Sequence, residues 1–234
     1  MNDLSSAAAQ ALRLVGGADP KLLEIVLLSL RVSLTAVALS CIVGLPLGAT
    51  IAVSRFPGRR TVVVVLNALM GLPPVVVGLA VYLLLSRAGP LGQLGLLFTP
   101  TAMVIAQAVL ITPIIAALSR QVVEDAWSEY REQLRSLGET RLDAAMTLLW
   151  DLRFSLVTLV LAGFGRAAAE VGAVIIVGGN IDGFTRVMTT TIALETSKGN
   201  LALAVGLGIV LIGLVITVNA LAWGIRRWSE KHAA

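Results

Sequence analysis

The side chains best suited to chemistry lie between residues 166 and 198 of an otherwise apolar chain. Arg166 and Glu170 interrupt an apolar run and stand four residues apart, so they share a helix face and can pair. Ionisable groups inside an apolar span are costly and usually face a cavity or one another. The spacing leaves two interpretations open. The two residues form an intrahelical ion pair that stabilises helix packing, or they line or gate a transport pathway.

Hydroxyl groups are frequent in the polar stretch that follows, residues 184–199. Several weak hydrogen-bond donors suit a transport pathway, because a solute can enter it without being trapped. Thr185, Arg186 and Thr189 are therefore candidate pathway residues, and a polar external loop is the alternative for each. Asn180 closes a Gly-Gly-Asn helix C-cap, and we include it among these candidates.

The sequence lacks the residue patterns of metal binding, ATP binding and hydrolytic catalysis. The chain has one cysteine, Cys41, and one histidine, His232, which is too few for a zinc or iron–sulfur site. It also contains no Walker-type glycine-rich loop and no Ser/His/Asp pattern. We expect no metal site, no cofactor and no enzymatic activity in this chain, and we interpret Cys41 as a small core residue.

The composition indicates an all-α, polytopic membrane protein. Apolar residues make up 57% of the 234 residues and charged residues 14%, whereas soluble domains average about 25% charged residues. The apolar runs are long and unbroken, unlike the short alternating segments of a membrane barrel. The net charge of +4 comes from basic residues beside apolar runs, so we expect contact with membrane lipid and not with nucleic acid.

Five apolar runs are long enough to span a bilayer, which takes about 20 helical residues. Pro73 and Pro74 break the second run. Broken spans are tolerated beside protein or a water-filled cavity, so we place both prolines at the pathway. Residues 1–20 are predicted as a separate surface helix, and residues 21–234 as one transmembrane domain. The predicted spans are residues 22–53, 61–85, 101–118, 154–177 and 201–225.

The distribution of basic residues predicts the orientation of these spans. With five spans, one side of the membrane holds eleven of the Lys and Arg residues outside the spans and the other side holds five. The side richer in Lys and Arg is normally cytoplasmic. The C-terminus and the charged loop 119–153 are therefore predicted in the cytoplasm, and the N-terminus outside.

The charged loop 119–153 holds seven of the 14 acidic residues. Thr140 and Asp143 form a capping-box-like helix start, and Gly138 separates this helix from the segment before it. We expect a helix–Gly–helix elbow in which Leu142, Ala145, Met146 and Leu149 share one face. The pattern is equally typical of a partner-binding loop and of a solvated loop whose helices pack on the bundle.

Residues 132–138, EQLRSLG, resemble the EAA loop of bacterial ABC importer permeases. Glu132, Leu137 and Gly138 match that motif, whereas Gln133 and Leu134 stand where small residues are usual. Longer stretches, among them MGLPPVVVGLAVYLLLSRAGPLG, GRAAAEVGAVIIVGGNI and above all GFTRVMTTTIALETSKGN, look like the tungstate-type branch of these permeases, which is close to molybdate and sulfate permeases.

This resemblance implies the permease subunit of a type I ABC importer in the inner (plasma) membrane. It implies a homodimer, cytoplasmic ATPase subunits that carry ATP and Mg, and an extracytoplasmic tungstate-binding protein. The implied substrate is tungstate or molybdate, and the implied ATPase-coupling residues are Glu132, Leu134, Leu137, Gly138 and Arg141. The alternatives are a permease for another oxyanion such as sulfate, an ion-driven secondary transporter, and a membrane anchor for a soluble enzyme.

Overall fold

The fold is described from a computed structural model that covers Gly17 and residues 19–232, with the backbone alone described for residues 222, 223 and 225–232. The surface helix predicted for residues 1–20 lies almost wholly outside the described residues. The described helices are α1 (Pro20–Val53), α2 (Arg59–Leu69), α3 (Pro74–Leu85), α4 (Pro100–Ser136), α5 (Arg141–Asp151), α6 (Arg153–Ala168), α7 (Gly172–Gly178), α8 (Met188–Ser197) and α9 (Leu201–His232), and a 3₁₀ turn covers Gly92–Leu94.

The helices confirm the prediction of an all-α, multi-pass membrane protein. Three of the described helices, α1, α4 and α9, are long and apolar enough to cross a bilayer. Two bent pairs, α2 with α3 and α5 with α6, bring the possible number of spans to five. The predicted break at Pro73 and Pro74 is present: α2 ends at Leu69, and Pro74 begins α3.

Two predicted spans do not coincide with single helices of the same length. The third span, predicted for residues 101–118, belongs to a helix that continues through the charged residues to Ser136. The fourth, predicted for residues 154–177, is two helices, because α6 ends at Ala168 and α7 begins at Gly172. Two hydrogen bonds of Glu170 stabilise this interruption. Glu170 Oε1 accepts the Ala173 N–H at 3.1 Å, and the Thr189 hydroxyl donates to the Glu170 carbonyl at 2.8 Å.

The chain divides into two compact units. The first contains the described residues through Thr35 together with Pro73–Gln107 and Ala167–Val218. Its core joins α1, α8 and α9 through Leu22, Ile25, Met188 and Leu207. In the same unit α3 packs closely on α7, since a Cβ added at Gly78 would lie 2.7 Å from the Ala173 Cα.

The second unit contains Ala36–Leu72, Ala108–Arg166 and the described residues from Asn219. Here α1 and α4 cross with almost no space between their backbones. A Cβ added at Gly48 would collide with the Ser119 hydroxyl and the Ala116 carbonyl oxygen. Small residues allow helices to approach this closely in membranes, so Gly48 fixes the α1–α4 crossing.

Candidate functional site

The predicted elbow is present in the second unit, between α4 and α5. Gly138 has φ +80°, a left-handed conformation that glycine adopts without a steric cost. The Thr140 hydroxyl oxygen accepts the Asp143 N–H at 3.3 Å, and Asp143 Oδ2 accepts the Thr140 N–H at 3.3 Å. These reciprocal bonds form the predicted capping box and begin α5 immediately after the turn.

The face of α5 predicted from periodicity is only partly buried. Ala144, Ala145 and Leu148 are buried, whereas Leu142 and Met146, predicted to share one face with Ala145 and Leu149, are mainly exposed. The packing partners lie on two other helices. Ala144, Ala145 and Leu148 belong to one buried core with Ala49 and Ala52 of α1 and Ala126 of α4.

An exposed apolar stripe results on the outer side of α5. Leu142, Met146 and Trp150 are 65%, 61% and 70% exposed, and they follow one another every four residues. Leu137, beside the elbow, is 71% exposed. Large apolar side chains that lie together on a surface mark contact with protein or membrane. The sequence signal for this stripe is the spacing of four from Leu142 through Met146 to Trp150, of which only Leu142 and Met146 were predicted to share a face.

The five coupling residues implied by the resemblance take two different positions. Leu134 is buried and belongs to the core shared by α1, α4 and α5. Glu132, Leu137, Gly138 and Arg141 are exposed around the elbow. Leu134 therefore holds the elbow against the second unit, while the other four are accessible to a partner. Their role in coupling stays a prediction.

A charge cluster that the sequence analysis missed lies in the second unit, on α4 before the elbow. The Arg59 guanidinium donates to Glu124 Oε1 at 2.7 Å and to the Ile51 carbonyl, at the end of α1, at 2.9 Å. Arg120 forms an ion pair with Glu124 Oε2 within α4 and is itself buried. Glu124 thus joins α4 to Arg59, the first residue of α2. The spacing of four between Arg120 and Glu124 was the available signal.

Hydroxyl groups in the first unit hold a polar turn together. The Thr185 hydroxyl donates to the Gly178 carbonyl at 2.6 Å and accepts the Ile181 N–H at 2.9 Å. Asn180, in a left-handed conformation with φ 51°, accepts a hydrogen bond from the Thr190 hydroxyl at 2.9 Å. In this conformation the hydroxyl hydrogens are donated within the chain. Contact of Thr185 and Asn180 with an anion stays a prediction.

Glu170 and Thr189 do lie together, in a small buried polar region of the first unit. Glu170 is 4% exposed, and Thr189 bonds to its carbonyl. Gln107 lies against the same small cavity and donates to the Ala167 carbonyl at 3.1 Å. Arg166 lies in the last turn of α6 and belongs to the second unit, whereas Glu170 belongs to the first. The predicted pairing of Arg166 with Glu170 stays a prediction.

Arg186 borders a larger cavity of about 430 Å³ in the first unit. Its guanidinium forms an ion pair with Asp182 at 2.9 Å. Lys21, Glu24 and Glu195 also line the cavity. Hydrogen bonds from Asn200 and Lys198 lower the pKa of Glu195 and keep that carboxyl ionised. Three carboxylates against two cations give this cavity no excess of positive charge that would favour an oxyanion.

The remaining predictions concern the two prolines and metal binding. Pro73 is exposed in an extended conformation before α3, and Pro74 is half-buried at its first position. Among the described residues, no group of three His, Cys, Asp or Glu side chains could hold a metal ion. Of the predicted site residues, the structure brings together those of the elbow in the second unit. In the first unit it brings Glu170 together with Thr189, and Asn180 with Thr185.

Comparison with known proteins relates this geometry to transport. Residues 44–233 match the family of binding-protein-dependent transport system inner membrane components. The chain is 43% identical to a probable anion ABC transporter permease of Haloferax volcanii, covering 86% of this chain and 88% of that protein. It is 40% identical to the tungstate uptake system permease TupB of Peptoclostridium acidaminophilum, covering 97% and 99% respectively. The molybdenum transport system permease ModB of Escherichia coli is 30% identical, with 90% and 96% covered.

Proposed function

The chain belongs to the family of inner-membrane components of binding-protein-dependent transport systems, and we propose that it is the permease of an ABC importer for tungstate. In this function the chain is a transport component and not an enzyme. A separate ATPase subunit hydrolyses ATP with Mg, and a separate extracytoplasmic protein delivers the ion. Two copies of the chain form the pathway, with the elbow and the C-terminus in the cytoplasm and the N-terminus outside.

One observation carries the proposal: the relative named as a tungstate permease aligns with nearly the whole chain, at 40% identity. The relative named as a molybdenum permease covers a similar length at 30% identity. Tungstate is therefore the first candidate substrate, and molybdate the second. Both are tetrahedral dianions, so charge and shape alone separate them poorly inside a pathway.

The elbow supplies a physical route from the ATPase to the membrane helices. Leu137, Arg141 and Leu142 are exposed at the elbow, where the ATPase binds. The opposite face of α5 packs on α1 and α4 through Ala144, Ala145 and Leu148. Protein interiors pack densely and transmit displacement instead of absorbing it. A movement of the ATPase against α5 is therefore passed to two long membrane helices of the second unit.

Selection of the ion belongs to the delivering protein, because a pathway that bound the ion tightly would not release it. Arg186 and Thr189 then affect the transport rate more than the apparent affinity. Intramolecular hydrogen bonds hold many of the hydroxyl hydrogens of the first unit in this conformation. Their role in passage requires a second conformation in which these bonds open.

Uptake into reconstituted vesicles tests the substrate assignment. The permease, its ATPase and its binding protein are reconstituted with ATP, and imported tungsten, molybdenum and sulfur are measured by elemental mass spectrometry. We expect tungstate to accumulate and molybdate to compete with it. Sulfate that is carried well, with tungstate neither carried nor inhibitory, would overturn the tungstate assignment and leave the ABC assignment intact.

A further inference from the structure

An apolar groove of about 450 Å³ opens in the second unit between α1, α5 and α6. Its walls come from Cys41, Leu45 and Pro46 of α1 and from Val157, Val160 and Leu161 of α6. Along α6 the groove extends from Arg153 to Leu161, about 12 Å at 1.5 Å per residue. Both its size and its apolar lining are typical of a site for a ligand.

One end of the groove carries a cation in an aromatic setting. The Arg153 guanidinium lies 4.9 Å from the ring centre of Trp150 and 4.7 Å from that of Phe154. Its Nη1 donates to the Trp150 carbonyl at 2.8 Å. An arginine has five N–H donors, so most of them are left for another acceptor. Among the described residues, no carboxylate lies within ion-pair distance of Arg153.

This end of the groove also has the features of a membrane–water boundary. Polar α5 and apolar α6 meet there at 78°, and Arg153 begins α6. Tryptophan is enriched where membrane spans reach the head-group level, and arginine near the ends of spans extends its charge to the same level. An exposed guanidinium above an apolar groove matches an amphiphile whose head is anionic and whose tail is a hydrocarbon chain.

We propose that this groove binds an anionic phospholipid, with one acyl chain against α1 and α6 and the phosphate on Arg153. The charge of Arg153 and the apolar walls recognise the two ends of the same molecule. Basic pockets between membrane helices bind anionic head groups in this way. The lipid then contacts α5, the helix beside the elbow, through Met146 and Leu149. The site is distinct from the pathway residues and does not depend on which ion is carried.

Retained lipid gives the first test. The full-length chain is purified from membranes that contain phosphatidylglycerol, and bound lipid is measured by native mass spectrometry. We expect Arg153→Gln to lower the retained phosphatidylglycerol roughly fivefold or more, the loss of one arginine–head-group interaction. Arg60→Gln is the matched control, because Arg60 is exposed near the start of α2 and does not line the groove. It should retain lipid as the parent chain does.

Cys41, the only cysteine of the chain, lines the groove, so its rate of reaction with a maleimide is a second measure of lipid binding. In nanodiscs we expect its reaction with a maleimide to be slower in phosphatidylglycerol than in phosphatidylcholine. This difference should disappear in Arg153→Gln. Val157→Trp leaves Arg153 in place but fills the groove, so it should lower lipid retention without a change of charge.

Two results would overturn the proposal. One is equal phosphatidylglycerol retention by the parent chain, Arg153→Gln and Val157→Trp. The other is protection of Cys41 that follows the amount of dimer and is the same in both lipids. The second result would show that another copy of the chain covers the groove.

Discussion

Gly138 is the residue whose conformation determines the path of the chain at the elbow. It has φ +80°, and a Cβ added there would meet no heavy atom within 4 Å. The cost of a side chain is therefore conformational and not a collision, and it amounts to about 1–2 kcal/mol for an ordinary L-residue. Asparagine tolerates the left-handed conformation better than alanine does.

We therefore expect Gly138→Ala to weaken ATPase binding and ATP-driven uptake, and Gly138→Asn to weaken them less. Co-purification of the ATPase and vesicle uptake measure the two effects. Gly165→Ala is the control, because Gly165 lies inside α6 with equal space around it. Equal losses for the alanine and asparagine variants at 138 would show that the left-handed turn is not what matters.

Glu124 is the second residue whose contacts predict a measurable effect. It bonds to Arg59 and pairs with buried Arg120. Glu124→Gln leaves a buried guanidinium without its carboxylate, and bonds to charged groups contribute roughly 1.5–3 kcal/mol. We expect a lower thermal midpoint in detergent and weaker coupling.

Exposed Glu129, on the same helix, provides the comparison for Glu124. Glu129→Gln should change stability by no more than about 0.5 kcal/mol. If both variants unfold at the temperature of the parent chain, the Arg59–Glu124–Arg120 cluster does not hold α4 to the start of α2.

At the scale of elements, α5 presents one face to the protein and another to a partner. Leu137, in the turn before α5, and Leu142, at the start of α5, are exposed at the elbow, and burying a leucine contributes about 1.5–3 kcal/mol. We expect Leu137→Asp and Leu142→Asp to weaken ATPase binding roughly 10- to 100-fold. Binding of the purified ATPase to the permease in nanodiscs gives the affinity.

Leu94→Asp is the matched control for these two variants, since Leu94 is 59% exposed in the 3₁₀ turn of the first unit. It should bind the ATPase as the parent chain does. Full affinity in both elbow variants would exclude this surface as the site of contact.

The same elements show what the sequence could and could not predict. The Pro73–Pro74 break and the Thr140 cap each depend on a few neighbouring residues, and both were predicted. The end of α6 depends on a hydroxyl 19 residues away, since Thr189 donates to the Glu170 carbonyl. The packed face of α5 depends on alanines of α1 and α4. Tertiary contacts determine both the end of α6 and the packed face of α5, so the periodicity of one helix did not predict them.

The candidate site divides in the same way. Resemblance to a family identified the elbow residues, and the structure places four of the five on the surface. The Arg59–Glu124 bond joins residues 65 positions apart, and no local pattern predicts it. The sequence identified the hydroxyl-rich stretch but not that its hydroxyl groups bond to carbonyls of the same unit.

At the scale of the whole molecule, the orientation in the membrane is open to a direct test. With Cys41 replaced by serine, we expect a label on Ser136→Cys to be reached only from the cytoplasm and a label on Gln93→Cys only from outside. Gln93 lies in the 3₁₀ turn between α3 and α4. Labelling of both positions from one side would contradict the five-span arrangement.

The energy source for import tests the central claim most directly. The complete transporter is reconstituted in vesicles, and tungstate uptake is measured under three conditions: with ATP and the active ATPase, with ATP and a hydrolysis-deficient ATPase, and with a proton or sodium gradient alone. The account predicts uptake under the first condition only. Uptake driven by an ion gradient without ATP would contradict it and identify a secondary transporter.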